Sequence, residues 1–590
     1  MNYHFASAPL GVDPLRPDYA YMNDVSLNML GNGYLDPGIP RENLREAAIA
    51  RAEAIIDRLE ALCKRTLPTI RMGIRRGWFS PSSPVWSNLG KSNGLPISCN
   101  GSYMDDRTSS ILMKTAEIGE MSKLGAGTSL YMGALRPFGT PISGGGFSEG
   151  PVKFARLVQE HVTIISQGAT RRGNCAIYLD IEHPDINEWL KFRNKEEGKE
   201  NPIQHLSYGI CISRKWWAEM KAEPKTGPIE QRQKRELIKL IRNKRRETGF
   251  PYIFFTDNAN DVRPQVLKDK DLWIWATNLC TEIMNHSKWD ESFVCCLLSL
   301  NVLFFDEWKN TDFAYEATFA LDAMLTEYIE KIEAMEFEDP DAYVMMKSAL
   351  NFAKRWRSLG LGVLGYHSLL QSKMIAFESE EARALNIEVF AHIQAESDRA
   401  SRDMAAIYGE PEGMVGAGYR NINRQAVAPT TSSSIIIGGG TVSQSIEPWE
   451  ANIFENDNAK STFVAKNPQL EALLETKGLN TPETWALIAK NGGSVQALDF
   501  FSDHEKMVFK TRAEIDQKEI IAQAGNIVGR GLYIDQGQSI NIILPPEATM
   551  KDDFEILDMA EAHGLKSLYY RHGMNEAQIL ARDACLACAA

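Results

Sequence analysis

The five residues Asn278-Leu279-Cys280-Thr281-Glu282 bring together an amide, a thiol and a carboxylate. In an extended backbone, side chains two residues apart point to the same face, whereas on a helix they diverge by about 200°. A strand or loop tip here would aim all three groups at one small molecule. The alternative is a buried structural cysteine beside an unrelated Glu282. The stretch alone favours that alternative, because free cysteine is among the most buried residue types.

The composition is that of an ordinary globular protein. The 590 residues allow three or four domains, or one large α/β barrel with additions. Apolar residues make up 44% and charged residues 24%, and the net charge of −13 argues against a surface for duplex nucleic acid. No apolar run reaches about 18 residues and no signal peptide is visible, so we expect no membrane span. Nine cysteines in such a chain indicate a reducing, cytoplasmic compartment with redox-active thiols.

Strand and helix patterns alternate along the chain, which predicts an α/β fold. The basic segment 222–248 is predicted to be a solvated helix face, with a nucleotide patch as the less favoured alternative. Strands are predicted from Cys175, over 292–305 and over Ser567–Tyr570. Helices are predicted over 41–66, 108–124, 151–167, 314–335 and 341–357, and one or two more over 376–408.

Further motifs occur in an order that resembles the catalytic large subunit of ribonucleotide reductase, from about residue 70 to the C-terminus. They are Ser98-Cys99 with Asp106, Gln167–Gly173 with His183-Pro184-Asp185, Asn278–Glu282, Cys295 six residues before Asn301, Pro429–Ser434, Gln444–Pro448, Asp535–Ser539, Tyr569-Tyr570 and Cys585-Leu586-Ala587-Cys588. So many independent pieces in one order do not arise by chance.

This resemblance implies an α/β fold, a ten-stranded α/β barrel of two antiparallel five-stranded halves with a central finger loop. It divides the chain into an N-terminal segment and helical region at 1–75, a barrel at 76–575 and a C-terminal redox tail at 576–590. Cys99 falls early in the chain, so we expect a short form without the N-terminal ATP cone that inhibits many relatives.

The same resemblance implies a radical reduction of ribonucleotides at the 2′-hydroxyl. Cys280 would carry the thiyl radical, Glu282 would be the general base on the 3′-hydroxyl, and Asn278 would bind the sugar or hold Glu282. Cys99 and Cys295 would supply two electrons by closing a disulfide. Cys296 competes with Cys295, but the spacing to Asn301 favours Cys295, and strand alternation puts Cys296 on the opposite face.

Reopening that disulfide would fall to a dithiol in the tail, Cys585 and Cys588, recharged by thioredoxin or glutaredoxin. Half of a zinc site is the rival interpretation of this spacing, but no second metal-binding pair is visible in the sequence. We therefore expect no metal site in this chain.

Substrate contacts are expected at a hydroxyl-rich segment that begins a helix, whose free N–H groups suit a diphosphate. A simple helix cap is the alternative interpretation. Thr431 departs from the family, which usually has Glu or Gly there. The expected contact residues are Ser83, Ser98, Thr430, Thr431, Ser432, Ser433 and Ser434.

Adjacent tyrosines indicate the subclass. In class I reductases such a pair is stacked and relays a radical from a metal-containing small subunit, so Tyr570 would receive the radical and Tyr569 would pass it to Cys280. No cofactor would then be bound in this chain, and ribonucleoside diphosphates would be the substrates. The alternatives are a class II enzyme that uses adenosylcobalamin and a catalytically inactive nucleotide-binding regulator. The cysteines, Glu282 and both tyrosines disfavour the regulator.

Allosteric control by dNTP or ATP is a further implication of the resemblance. The family builds its specificity site at a homodimer interface, and a loop couples that site to the choice of substrate base. The matching specificity-site residues are Asp106, Arg136, Ile142, Ser143 and Gly144, and those of the loop are Gln167, Arg171 and Arg172.

Overall fold

A curled β-sheet surrounded by helices organises the chain. The computed structural model describes residues 16–92, 94–97, 99–165, 173–193, 203–458, 461–545 and 547–573. The strands are Phe79–Pro81 (β1), Cys99–Tyr103 (β2), Thr128–Tyr131 (β3), Cys175–Asp180 (β4), Ser207–Ile212 (β5), Tyr252–Phe255 (β6), Phe293–Asn301 (β7), Leu359–Leu364 (β8), Ile453–Asn458 (β9), Ser461–Lys466 (β10), Ile542–Ile543 (β11), Ser567–Leu568 (β12) and Arg571–His572 (β13).

Helices cover the outside of the sheet and connect its strands. They are Asp24–Gly31 (α1), Leu44–Cys63 (α2), Pro68–Arg76 (α3), Ser83–Asn88 (α4), Thr108–Lys123 (α5), Gly150–Ile164 (α6), Ile186–Trp189 (α7), Arg214–Ala222 (α8), Gln233–Thr248 (α9), Thr256–Asp261 (α10), Gln265–Asp269 (α11), Phe305–Trp308 (α12), Phe313–Glu338 (α13), Pro340–Trp356 (α14), Tyr366–Ser372 (α15), Glu380–Tyr408 (α16), Thr431–Gly438 (α17), Pro468–Thr476 (α18), Pro482–Lys490 (α19), Asp503–Val508 (α20), Gln517–Ala524 (α21) and Met550–Ala562 (α22).

The first half of the sheet consists of five parallel strands in chain order, β2 to β6. Every residue of β5 and β6 is buried, and β4 is buried up to its last residue. Such burial is typical of parallel strands covered on both faces. At the outer edge of this half, β12 pairs antiparallel with β6.

The second half runs antiparallel to the first. Along one edge, strand β7 pairs antiparallel with β2 and then with β1, which lie end to end. Along its other edge, β7 pairs in parallel with β8. Single bridges continue from Leu361 to Gln425 and from Val427 to Gln538. The Tyr569 N–H donates to Ile540 O at 2.9 Å and so closes the circuit towards β12.

The predicted barrel of two opposed halves is therefore confirmed. The continuous hydrogen-bonded ladder in the described residues contains nine strands. The rest of the second half is formed by the singly bridged segments. No helix in the described part of the chain is long and apolar enough to cross a bilayer.

The predicted helices over 41–66, 108–124 and 151–167 are confirmed as α2, α5 and α6. The N-terminal helices share the main core, since α2 packs on α13 and α1 packs on α17. The expectation of a solvated basic face on α9 is wrong at Arg245, which is buried and donates to Tyr569 O at 3.2 Å. The predicted strand at 567–570 ends after Leu568.

A buried ionic network joins the long helix α13 to the loops after α14 and α16. Asp322 accepts hydrogen bonds from Arg357 Nε at 2.7 Å, from Arg420 Nε at 3.0 Å and from Asn421 Nδ2 at 2.9 Å. Burial raises the pKa of this carboxyl, but the two guanidinium groups outweigh that effect and hold it at about 2.

Removing Asp322 is expected to destabilise the fold strongly, because both arginines would lose their counter-charge in a buried place. Asp322→Ala should lower the free energy of unfolding by roughly 3–5 kcal/mol, seen as a lower midpoint in calorimetry. The matched control is Glu333→Ala, because Glu333 and its partner Lys354 are about half exposed. That change should lower the free energy of unfolding by no more than ~1 kcal/mol. Equal shifts for both variants would contradict the prediction.

Candidate active site

A loop inside the barrel, here called the finger loop (residues 277–286), carries the predicted reactive residues. Three neighbouring segments hold its backbone. Tyr178 OH on β4 donates to Asn278 O at 3.1 Å, Ser567 Oγ on β12 donates to Thr281 O at 2.8 Å, and Gly537 N donates to Glu282 O at 2.7 Å. The loop is therefore fixed on several sides by the barrel wall.

The expectation of an extended backbone at 278–282 is wrong, because the segment forms a turn. Thr281 has a left-handed φ of 69°, and its N–H donates to Asn278 O at 3.3 Å. A positive φ is strained for a β-branched residue and is typical of functional sites. Cys280 and Glu282 both line the cavity described next, but Asn278 is buried behind the turn, where its Oδ1 accepts from Ile283 N at 3.0 Å.

An open cavity of about 270 Å³ lies in front of the finger loop. It is walled by the finger loop, by the starts of α4 and α17, and by β2 and β7. Its lining residues are Ser82, Ser83, Pro84, Cys99, Gly127, Leu279, Cys280, Glu282, Leu297, Ser299, Ala428, Pro429, Thr430, Thr431, Ser432, Ser433 and Tyr569.

Glu282 is a buried carboxyl with an unusual pKa. Burial raises its pKa to about 7, although donors on Asn278, Ser539 and Cys99 favour the charged form. Cys99 Sγ lies 3.7 Å from its Oε1, and Ser539 Oγ lies 3.2 Å from its Oε2. The Asn278 Nδ2 group acts on this carboxyl without a hydrogen bond of normal geometry, since it has no hydrogen-bond partner within the described residues. Glu282 can thus exchange a proton near neutral pH.

Cys99 and Cys295 face each other across neighbouring strands. They are direct partners in the antiparallel register of β2 and β7, and opposite residues in such a pair project to the same face. Cα separations of opposite residues in antiparallel sheets fall within the range that a disulfide requires. Cys296 follows on the other face of β7, where burial raises the pKa of its thiol. The register is therefore compatible with Cys295 as the partner of Cys99.

The two tyrosines lead from the cavity towards the surface. Tyr569 OH lies 3.5 Å from Cys280 Sγ. The Tyr569 and Tyr570 rings are 4.3 Å apart between centroids and tilted by 54°, so they touch without parallel stacking. Tyr570 is half-buried. Tyr252 on β6 packs against both rings at 4.8 and 5.1 Å.

The hydroxyl-rich segment begins helix α17 at the cavity. Thr430 has a left-handed φ of 59°, and its Oγ1 accepts from Ser445 N at 2.8 Å instead of capping the helix. Thr431 Oγ1 donates to Gln444 Oε1 at 3.1 Å. The segment 430–433 lines the cavity, whereas Ser434 lines a smaller neighbouring one.

The predicted effector residues lie at one end of the barrel. Arg136 Nε donates to Asp106 Oδ2 at 2.6 Å. The exposed loop with Ile142, Ser143 and Gly144 follows this ion pair and is closed by a bridge between residues 141 and 147. Asp106 and Arg136 thus come together at the base of the loop, and the other three residues lie along it.

Six predicted positions lie outside the described residues. They are Ser98, Gln167, Arg171, Arg172, Cys585 and Cys588.

Sequence reasoning missed several side chains that contact the site. Gln536 Nε2 lies 3.5 Å from Cys295 Sγ, Ser539 contacts Glu282, and Tyr252 contacts both tyrosines. Ser82 Oγ is buried at the cavity without a partner among the described residues. The motif 535–539 was visible as a signal, but its contacts depend on the folded chain.

Comparisons with known proteins agree with this fold and site. The model of the ribonucleotide reductase barrel domain matches residues 97–227, 213–417 and 411–571. This barrel, with its internal cysteine loop, defines the class of ribonucleotide reductases. The chain belongs to the large-subunit family of these enzymes.

Individual relatives cover most of the chain. The ribonucleoside-diphosphate reductase large subunit of Invertebrate iridescent virus 3 is 31% identical, over 92% of this chain and 93% of that protein. The solved structure of the Actinobacillus ureae class Id ribonucleotide reductase alpha subunit is 42% identical, with a TM-score of 0.84 over 96% of this chain and 99% of that one. A vitamin B12-dependent ribonucleoside-diphosphate reductase of Mycobacterium tuberculosis is 29% identical, over 86% and 72%.

The Glu282 carboxyl is expected to titrate near neutral pH. Infrared difference spectra between acid and alkaline pH should show a carboxylic-acid band that disappears with a midpoint near the pKa of about 7. The band should be absent in Glu282→Gln. In Ser539→Ala the midpoint should move to higher pH, because that hydroxyl favours the carboxylate. A midpoint at the ordinary value of a glutamate would contradict the prediction.

Proposed function

We propose that this chain is the catalytic subunit of a class I ribonucleoside-diphosphate reductase. The observation that carries the proposal is the 3.5 Å contact between Tyr569 OH and Cys280 Sγ, at a cavity that also holds Glu282 and Cys99. At this distance a tyrosyl radical can take the hydrogen atom of the thiol. The tyrosine is restored and a thiyl radical is left on Cys280.

The reaction follows from the groups around the cavity. The Cys280 radical takes the 3′ hydrogen of the ribose, and the Glu282 carboxylate accepts the proton of the 3′-hydroxyl. The 2′-hydroxyl then leaves as water. Cys99 and Cys295 supply two electrons and two protons by closing a disulfide. Cys280 finally returns the hydrogen atom to the 3′ carbon and regains its radical, and Glu282 returns its proton to the 3′ oxygen.

The diphosphate of the substrate would bind at the start of α17. The first N–H groups of a helix have no partner within the helix, and the helix dipole favours an anion there. Thr430, Ser432 and Ser433 add hydroxyl groups at the same wall of the cavity, and Ser82 and Ser83 face them from α4 and the residue before it. Ser98 and Thr431 are further candidate contacts.

A tail dithiol, Cys585 with Cys588, would reopen the disulfide and pass electrons from thioredoxin or glutaredoxin. The radical would come from a metal-containing small subunit through Tyr570, since that ring is half-buried and touches Tyr569. Effector nucleotides would bind at the Asp106–Arg136 pair and the loop after it. Gln167, Arg171 and Arg172 would couple that site to base selection.

A homodimer fits the surface beside the effector loop. Helices α5 and α6 expose large apolar side chains, as does the loop itself. They are Leu112, Met113, Phe138, Ile142, Phe147, Leu157 and Ile164. Clustered exposed apolar residues of this kind mark interaction sites. A second copy of this chain is the proposed partner.

Loss of either tyrosine hydroxyl or of the Cys280 thiol should abolish turnover without unfolding the protein. Tyr569→Phe, Tyr570→Phe and Cys280→Ser should each reduce product formation from a ribonucleoside diphosphate to background, with substrate affinity retained. Glu282→Gln should lower kcat by roughly 10²–10⁴-fold, the usual contribution of a general base. The matched control is Tyr328→Phe, because that buried hydroxyl has no partner in the described residues. Normal turnover by Tyr569→Phe would contradict the relay.

The requirement for a small subunit distinguishes class I from class II. We expect no turnover with adenosylcobalamin alone, and turnover only when a metal-containing small subunit is added. The class Id relative at 42% identity and the contact between Tyr569 and Cys280 favour this outcome. Turnover with adenosylcobalamin alone would support the class II alternative, for which the B12-dependent relative at 29% identity is the precedent.

A further inference from the structure

Gln536 is a buried amide whose orientation is fixed by four contacts. Its Oε1 accepts from Met284 N at 3.2 Å and from Asn285 Nδ2 at 3.1 Å. Its Nε2 donates to Leu359 O at 2.7 Å and to Cys295 Sγ at 3.5 Å. A backbone N–H can only donate, so the amide oxygen must face Met284. One N–H of Gln536 therefore points at the Cys295 sulfur.

The backbone that carries this amide is anchored by a buried ammonium group. Lys566 Nζ donates to Ile534 O at 3.2 Å, to Asp535 O at 2.9 Å and to Gln536 O. Three carbonyl groups use all three N–H donors of the lysine. The Gln536 donor is thus held in place before any reaction at the sulfur. It does not have to reorient when negative charge develops there.

The two sulfurs of the cysteine pair differ in access. Cys99 lines the cavity and retains 8% exposure, whereas Cys295 is fully buried and does not line it. A thiolate that enters through the cavity therefore reaches the Cys99 sulfur first. In thiol–disulfide exchange the other sulfur is then the leaving group.

We propose that Gln536 stabilises Cys295 as the leaving thiolate when the Cys99–Cys295 disulfide is reopened. This inference rests on the redox role proposed above for the two cysteines. The entering thiolate forms a bond to Cys99 Sγ, the S–S bond breaks, and its electron pair stays on Cys295 Sγ. A proton then restores the Cys295 thiol. The second thiolate of the reductant then attacks the reductant sulfur that is bonded to Cys99 Sγ. The S–S bond between them breaks, Cys99 leaves as a thiolate that takes up a proton, and the reductant becomes a disulfide.

The need for such a donor follows from the surroundings of Cys295. Burial raises the pKa of its thiol to about 12, whereas Gln536 and the Ser358 hydroxyl act in the opposite direction. A thiol with a high pKa leaves slowly in disulfide exchange. A fixed N–H at the sulfur offsets part of that barrier, and hydrogen bonds to charged groups are the stronger ones.

The test measures how fast the disulfide is reduced. The full chain with Cys585→Ser and Cys588→Ser is combined with a metal-containing small subunit and a ribonucleoside diphosphate and oxidised by a single turnover, and dithiothreitol is then added at one fixed pH. Gln536→Leu should slow the reduction of the Cys99–Cys295 disulfide about tenfold, the effect of losing a hydrogen bond to a charged group. Gln536→Glu keeps the oxygen that faces Met284 but loses the donor, so it should slow the reduction as well.

Gln538→Leu is the matched control, because Gln538 is a buried amide in the same loop. Its Nε2 donates to Ala524 O at 2.8 Å and its Oε1 accepts from Arg530 Nε at 2.7 Å, and within the described residues neither hydrogen bond involves a sulfur. It should leave the rate close to that of the parent. Near-UV circular dichroism checks that each variant is folded. If Gln536→Leu does not fold, the rate of disulfide reduction in Gln536→Glu tests the inference.

Two results would overturn the inference. They are a disulfide that is reduced at the parent rate in the Gln536 variants, and an equal slowing in Gln538→Leu. Failure of the parent to form any Cys99–Cys295 disulfide would instead refute the redox pairing in the proposed function, and the inference would fall with it.

Discussion

The whole site depends on the hydrogen bonds that hold the finger loop in a turn. Gly537 N donates to Glu282 O, and Ser539 Oγ contacts both Cys280 O and the Glu282 carboxyl. These contacts come from a loop more than 250 residues further along the chain. They hold Thr281 in a left-handed conformation that would otherwise cost about 1–3 kcal/mol. Without them, the thiol and the carboxylate would not face one cavity.

Burial gives this turn its chemistry. The barrel excludes water from Glu282, and the loss of solvation raises its pKa towards neutrality. Burial also raises the pKa of the Cys295 thiol and so disfavours its thiolate. The same packing places Tyr569 OH 3.5 Å from the Cys280 sulfur. Burial takes away the water that would solvate the charged forms of Glu282 and Cys295. A neighbouring donor partly replaces that solvation in each case, the Ser539 hydroxyl at the carboxylate and the Gln536 amide at the sulfur.

Much of the fold could be predicted from local sequence patterns, because amphipathic periodicity and buried runs depend on near neighbours. The helix at 44–63 and the strand at 293–301 were predicted to within a few residues. Predictions from local geometry failed at the site. The segment 278–282 is a turn and not extended, and Arg245 is buried although its neighbours are basic and polar. Both differences result from contacts with distant segments, which override local preference.

The sequence by itself determined which chemical groups are available and in what order they occur, and hence the family. Only the tertiary structure decided which of them meet. The register of β2 and β7 sets Cys99 opposite Cys295, and the end of β12 after Leu568 lets the Tyr569 and Tyr570 rings touch. The physical reason is that reactivity depends on separations of a few ångströms and on exclusion of water. Both arise when segments hundreds of residues apart pack together. The Asn278–Glu282 stretch becomes a site only through that packing.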